Sequence, residues 1–175
     1  MQTGIDVYIN DDVFIKHKNS TIIGNHVAID KGFYCTTSLS VGDYVHIAPY
    51  VVTIGGADSK VILEDFSFVA AGTKIVAGTE VYSADGLIGP TIPSKYRTLV
   101  LGQVKFERFA GCGVNCTILP GVTLAQGSVI GSNSVVTKST EPWTVYVGNP
   151  AKPIKIRPHE KILEYAREMG FHFNE

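Results

Sequence analysis

Cysteine is scarce in this chain: 175 residues hold three, an odd number. Cys35, Cys112 and Cys116 all fall on inward positions of the repeat described below. They are expected as small buried hydrophobes in a reducing, cytoplasmic compartment. An excess of one charge is also missing. Fifteen basic residues face sixteen acidic ones for a net charge of −1, so nothing favours nucleic acid or an anionic membrane as partner. No apolar run approaches the ~20 residues of a membrane span, and the opening MQTGIDVYIN lacks the basic and apolar blocks of a signal peptide. Only His46 among the histidines is expected in the central part of the chain, so three imidazoles cannot converge there on zinc. Cys112 and Cys116 have no further Cys or His cluster beside them, and no metal is expected. The length suggests one domain with a continuous core.

What the chain does have is a period of six. Bulky or aliphatic residues recur as Ile23, Ile29, Cys35, Val41, Ile47, Thr53, then Leu63, Val69, Ile75, Val81, then Phe106, Cys112, Ile118, Leu124, Ile130, Val136. Four places after each comes a second inward candidate, such as Val27, Val45, Ser67, Thr73, Ala110, Cys116, Val122, Ser128 or Ser134. Neither a helix nor a plain strand gives this spacing. One short strand and one turn per repeat do, stacked as a solenoid. Three strands per turn would close a triangular prism of about six coils, roughly 30 Å tall at the usual strand spacing. Gly24-Asn25, Gly42-Asp43 and Ser132-Asn133 suit its corners.

The interruptions are as informative as the lattice. KHKNS at 16–20 is expected to bulge, and IGGADSKVI after Thr53 breaks the register. The longest break, residues 82–105, contains Gly86, Gly89, Pro90 and Pro93 and should project from the coil, as long functional loops do. After the exit segment EPWTVYVGNPAKPIKIR, an apolar stripe of Ile162, Leu163, Ala166 and Met169 predicts a helix ending near Gly170. The expected division is a β-helix domain over 1–157 and a helix with tail over 158–175.

The lattice over residues ~9–140 resembles the hexapeptide repeat of the left-handed β-helix acyltransferases. The tail SVIGSNSVVTKSTEPWTVYVGNPAKPIKIR resembles the last coils and exit of sugar acetyltransferases in that superfamily. GDYVHIAPYVVTIGG resembles enzymes that N-acetylate nucleotide-linked amino-sugars, and ADGLIGPTIPSKYR resembles the insert of acetyltransferases for bacterial surface polysaccharides such as lipopolysaccharide O-antigen. The resemblance implies an all-β, left-handed parallel β-helix and acetyl-CoA as co-substrate. It also implies a nucleotide-sugar acceptor and a homotrimer with active sites between subunits. Phe14, Tyr34, Tyr50, Phe66 and Phe68, expected to face outward, would suit such interfaces. An O-acetyltransferase of the same fold and a non-catalytic scaffold remain alternatives.

His46 is the first candidate base, because an imidazole titrates in the right range to take a proton from an attacking amine or hydroxyl. A surface or interface histidine is the competing reading. In the amino-sugar enzymes that the HIAP segment resembles, the base lies nine residues upstream in a Glu-His-Asp stretch; Thr36, Thr37 and Ser38 stand there instead. Asp85 is the second candidate, with a turn-forming aspartate as its alternative. Tyr50, Lys95, Tyr96 and Arg97 are candidates for holding the nucleotide sugar, a solvated loop being the alternative for the last three. For coenzyme A, Gly111, Gly113, Ala125 and Gly131 would permit close approach of the pantetheine, though each is also a repeat-turn residue. Lys138, Asn149, Pro150 and Lys152, with Lys155 and Arg157, lie near the exit, where cations would meet the phosphates. Trp143 and Tyr146 could flank the adenine or pack the exit onto the coil. His17, His159 and His172 are expected to be structural or exposed.

Overall fold

The computed structural model describes residues 1–173; the last two residues of the expected tail lie outside it. Three parallel sheets form the faces of a prism. Face one stacks Gln2–Thr3, Ile22–Ile23, Ser38–Val41, Lys60–Leu63, Gln103–Phe106 and Thr123–Leu124. Face two stacks Tyr8–Ile9, Ala28–Ile29, His46–Ile47, Phe68–Val69, Gly111–Cys112 and Val129–Ile130, then Thr144–Gly148 and the antiparallel Ala151–Ile156. Face three stacks Phe14–Ile15, Tyr34–Cys35, Val52–Ile54, Lys74–Val76, Thr117–Ile118 and Val135–Val136. The strand Thr144–Gly148 begins a further coil, so the stack is about seven turns rather than six. The fold is the all-β parallel β-helix expected, with one short helix, Glu160–Glu168, after it.

The six-residue lattice is the core. Ile23, Ile29, Cys35, Val41, Ile47, Leu63, Val69, Ile75, Phe106, Cys112, Ile118, Leu124, Ile130 and Val136 are all buried, and so are Val27, Val45, Ser67, Thr73, Ala110, Cys116, Val122, Ser128 and Ser134. The three cysteines are free and buried. Val81 is an exception. It stands beyond the buried Ala77, past Gly78–Glu80, and is only half-buried.

Every break in the repeat falls on one edge of the prism, where face three turns into face one. The bulge at 16–20 closes there as a single turn, Lys18–Ser20. The break at 55–59 follows two coils on, joined to it through Ser38, whose hydroxyl meets Ser20 Oγ at 3.2 Å and donates to Ala57 O at 3.4 Å. From the next coil rises the long insertion, on a two-stranded stem pairing Gly78–Glu80 with Leu99–Leu101. Its boundary is therefore earlier than 105, because Gln103–Phe106 already pairs with Lys60–Leu63 as a coil strand, with Val104 fully buried.

A second corner, between faces one and two, carries an aromatic column. His26, Tyr44, Phe66, Phe109 and Trp143 all take left-handed φ values of 49° to 62°. Their rings stack coil on coil, with centroids 4.5, 5.3, 5.1 and 5.8 Å apart, and Trp143 continues onto His159 at 4.4 Å. A non-glycine residue in this conformation costs roughly 1 kcal/mol, which an offset-stacked aromatic neighbour offsets at about 0.5–1.5 kcal/mol. Phe171 and Phe173 meet the column edge-on. Phe66 is a stacked, half-buried member of this column.

Candidate functional site

His46 points outward from face two, with Ala28 below and Phe68 above it in register. Its Nε2 lies 2.8 Å from Asp30 Oδ2, with side-chain exposures of 56% and 29%. Asp30 is placed by the ladder itself, its N–H donating to Ile47 O at 2.9 Å. Among the described residues Nδ1 of His46 has no partner. Sequence reasoning passed over Asp30 because it lies sixteen positions away. With Ile29 paired to Ile47, eighteen residues make a coil, so that spacing alone puts the two side chains on neighbouring coils.

Thr36, Thr37 and Ser38, where the resemblance would place a base, lie at the start of face one. Thr37 is fully buried, its hydroxyl 3.3 Å from Thr53 Oγ1, and Thr36 donates to Thr53 O at 3.4 Å. These hydroxyls serve the coil.

The insertion gathers four of the candidates. Asp85, Lys95, Tyr96 and Arg97 line one open hollow with Gly86, Leu87 and Thr98. Leu87 N–H donates to Tyr96 O at 2.8 Å, which ties the two limbs together, and Lys95 Nζ sits 4.6 Å above the Tyr96 ring. Asp85 is exposed. Arg97 has a different neighbour from the one expected: its Nη2 bonds Glu80 Oε1 at 2.6 Å, both side chains being over four-fifths buried. Glu80 also accepts from Gly89 N–H at 3.3 Å.

The Arg97 hydrogen bond holds the Glu80 carboxyl below the usual carboxylate range, against the opposing effect of burial. A carboxyl lowered on folding stabilises the folded form above its unfolded titration range. That contribution fades as pH falls through the lower, folded value. Amide exchange over 81–98, corrected for the intrinsic rate, is therefore expected to stay slow at neutral pH and to accelerate as pH falls below the ordinary carboxylate range. Glu80→Gln should show the fast exchange already at neutral pH. Equal protection at neutral pH and at the lowest pH at which the coil stays folded would remove the pair from the account.

The glycines expected to admit the coenzyme are packed against neighbouring coils. The space beside Gly111 holds the Phe68 ring, and Cβ atoms on Gly113 and Gly131 would lie 2.5 Å from Ser132 Oγ and 2.6 Å from Val147 Cγ1. Their N–H groups donate to Ser128, Ile130 and Tyr146 carbonyls at 3.0, 2.8 and 2.8 Å. Ala125 likewise gives its N–H to Thr140 Oγ1 at 2.9 Å. Phe68 points outward from face two beside His46, half-buried, with its ring over Gly111.

The exit is more open. Asn149 and Pro150 turn the hairpin that pairs Thr144–Gly148 with Ala151–Ile156, and both are exposed, as are Lys138, Lys152 and Lys155. Among the described residues none of these lysines makes an ion pair. Arg157 is engaged: its Nη1 donates to Phe109 O and Gly127 O, both at 2.9 Å. Tyr146 is buried with its OH accepting Glu141 N–H at 2.9 Å, and Trp143 lies between Phe109 and His159, so both pack the exit rather than flank an adenine. Tyr50 is exposed, its ring over Gly32. His159 stands at the start of the helix without a side-chain cap, its ring on Trp143, His17 is half-buried in the bulge and His172 is exposed. Among the described residues no three His, Cys, Asp or Glu side chains gather as metal ligands, and no helix is long and apolar enough to cross a membrane.

No family model matches the chain. It is 36% identical over 166 residues to a dTDP-4-amino-4,6-dideoxy-D-glucose acyltransferase of Escherichia coli, covering 92% of this chain and 84% of the relative. It is 34% identical over 164 residues to WbbJ of E. coli K12, a putative lipopolysaccharide biosynthesis O-acetyl transferase, covering 89% and 79%. The crystal structure of AntD, an N-acyltransferase from Bacillus cereus, in complex with dTDP and 3-hydroxybutyryl-CoA superposes with a TM-score of 0.91 at 32% identity, over 95% of this chain and 88% of that one.

Proposed function

The chain belongs to the hexapeptide-repeat acyltransferases, and from that premise we propose that it moves an acetyl group from acetyl-CoA to the amine of a nucleotide-linked amino-sugar. One observation carries this reading: both the sequence and the fold match nucleotide amino-sugar acyltransferases across nearly the whole chain. The amine nitrogen attacks the thioester carbonyl, the carbon–sulfur bond breaks, the nitrogen gives up a proton, and the coenzyme leaves as its thiol. His46, with a free ring nitrogen, and Asp85, exposed on the insertion, are the groups assigned to that proton. Tyr50, Lys95 and Tyr96 are assigned to the nucleotide sugar, and Arg97 to holding the insertion in shape through Glu80. The unpaired Lys138 and Lys152, with the Asn149-Pro150 turn, suit the phosphates of coenzyme A.

Two assigned groups lie on opposite sides of one prism. His46 stands on face two, and the insertion bearing Asp85 rises from the edge opposite that face. A cleft shared between copies of a homotrimer brings them together. Exposed Tyr8, Phe14, Ile22 and Tyr34 on the early coils offer apolar area for such contacts.

A second reading, O-acetylation of a sugar hydroxyl, is favoured by the similarity to WbbJ. Thiol release from acetyl-CoA, measured across dTDP-linked amino-sugars and dTDP-linked sugars carrying only hydroxyls, separates the two. Turnover is expected with the amines. Turnover with hydroxyl acceptors alone would establish the second reading, and none across the panel would remove both.

A further inference from the structure

We infer that Asp30 is a positioning residue for His46, fixing which ring nitrogen carries the proton and which accepts one. The inference rests on the reading of His46 as the base. An ionised carboxylate only accepts hydrogen bonds, so the 2.8 Å contact from Asp30 Oδ2 requires the proton on Nε2. Nδ1 then keeps its lone pair and faces outward with no partner among the described residues. A proton taken from the acceptor amine goes to Nδ1, and the imidazolium so formed stays bonded to the carboxylate that oriented it. Asp30 touches no reacting atom; it acts through the ring.

The pair is too exposed for its stability contribution to explain it, since such pairs add about 0–1 kcal/mol. Its precision comes from the coil. Ala28 pairs with His46 and Ile29 with Ile47, which sets Asp30 on the same ladder two residues along. A second histidine–aspartate contact in the chain serves as an internal control. His26 Nδ1 meets Asp6 Oδ2 at 2.9 Å, but its ring is stacked on Tyr44 in the aromatic column at the corner between faces one and two.

The experiment compares Asp30→Ala, Asp30→Glu, Asp6→Ala and His46→Ala by steady-state kinetics with acetyl-CoA and a dTDP-linked amino-sugar. It is paired with ¹⁵N-histidine NMR and thermal melts. For Asp30→Ala the expected result is a kcat loss on the order of 10- to 100-fold. KM for acetyl-CoA and the melting temperature should stay unchanged, and the His46 resonances should move from the Nε2–H form to a mixture. Asp30→Glu should recover part of kcat, and Asp6→Ala should leave it intact. Wild-type kcat in Asp30→Ala beside an inactive His46→Ala would overturn the role of Asp30 alone. Full activity in His46→Ala would instead remove the reading of His46 as base. A kcat loss in Asp30→Ala with an unchanged tautomer, or one matched by Asp6→Ala, would reduce Asp30 to a structural residue.

Discussion

Mixing a His46→Ala chain with an Asp85→Ala chain is expected to restore acyl transfer that neither variant carries alone. The geometry of the prism requires it if both groups act on one substrate. Face two and the edge between faces three and one are opposite parts of the same triangle. About 15 Å of packed coil lies between them, given strands and turns of this length. The insertion shows no reach across that distance. Its bonds run within itself and its stem, from Val81 N to Thr98 O, Leu87 N to Tyr96 O and Gly89 N to Glu80.

In a cyclic assembly each cleft would take its imidazole from one chain and its carboxylate from the next. Random assembly of equal amounts gives each cleft an intact pair with a chance of one half for each partner. Up to about a quarter of wild-type activity should therefore appear after the two chains are unfolded together and refolded. Each variant refolded alone should stay at least ~100-fold below wild type. No recovery from a mixture that sedimentation shows to be a mixed oligomer would place His46 and Asp85 in separate roles.

The core was legible because burial in a solenoid depends on a residue's own place in the repeat. A six-residue period names Ile29 or Leu124 as inward without any knowledge of its neighbour. The features that escaped are contacts between coils. The aromatic column joins Tyr44 to Phe66 and Phe66 to Phe109, separations of twenty-two and forty-three, because breaks at the far edge lengthen particular coils. No fixed period exposes it. The Asp30–His46 contact is different, lying within regular coils where the spacing was readable. The insertion boundary was also readable: Val104 and Phe106 alternate inward, which marks 103–106 as coil. The coil glycines are ambiguous in sequence for one physical reason. A missing Cβ looks the same in sequence whether the space is left for a ligand or filled by a neighbouring coil, as Gly111 is by Phe68.

That distinction gives the largest stability effect expected in the chain, at Gly127. Gly121 and Gly127 both take left-handed φ, +79° and +67°, so alanine at either carries the same backbone cost of about 1 kcal/mol. Around Gly121 nothing lies within 4 Å of a new Cβ, whereas at Gly127 that position is taken by the Trp143 ring. The ring cannot simply slide away. Trp143 N–H donates to Gln126 O at 2.8 Å, and Trp143 O accepts from Arg157 N–H at 2.6 Å. The Arg157 guanidinium in turn bonds the Gly127 and Phe109 carbonyls. Displacing the indole therefore breaks two aromatic stacks and disturbs charge-assisted bonds together, for a total near 4 kcal/mol. For a chain of this size Gly127→Ala should melt about 10 °C below wild type, against about 3 °C for Gly121→Ala. The exit hairpin rides on the same contacts, so KM for acetyl-CoA should rise in Gly127→Ala and stay unchanged in Gly121→Ala. Equal melting temperatures for the two variants would mean that the indole repacks freely, and the exit would then not be anchored through it.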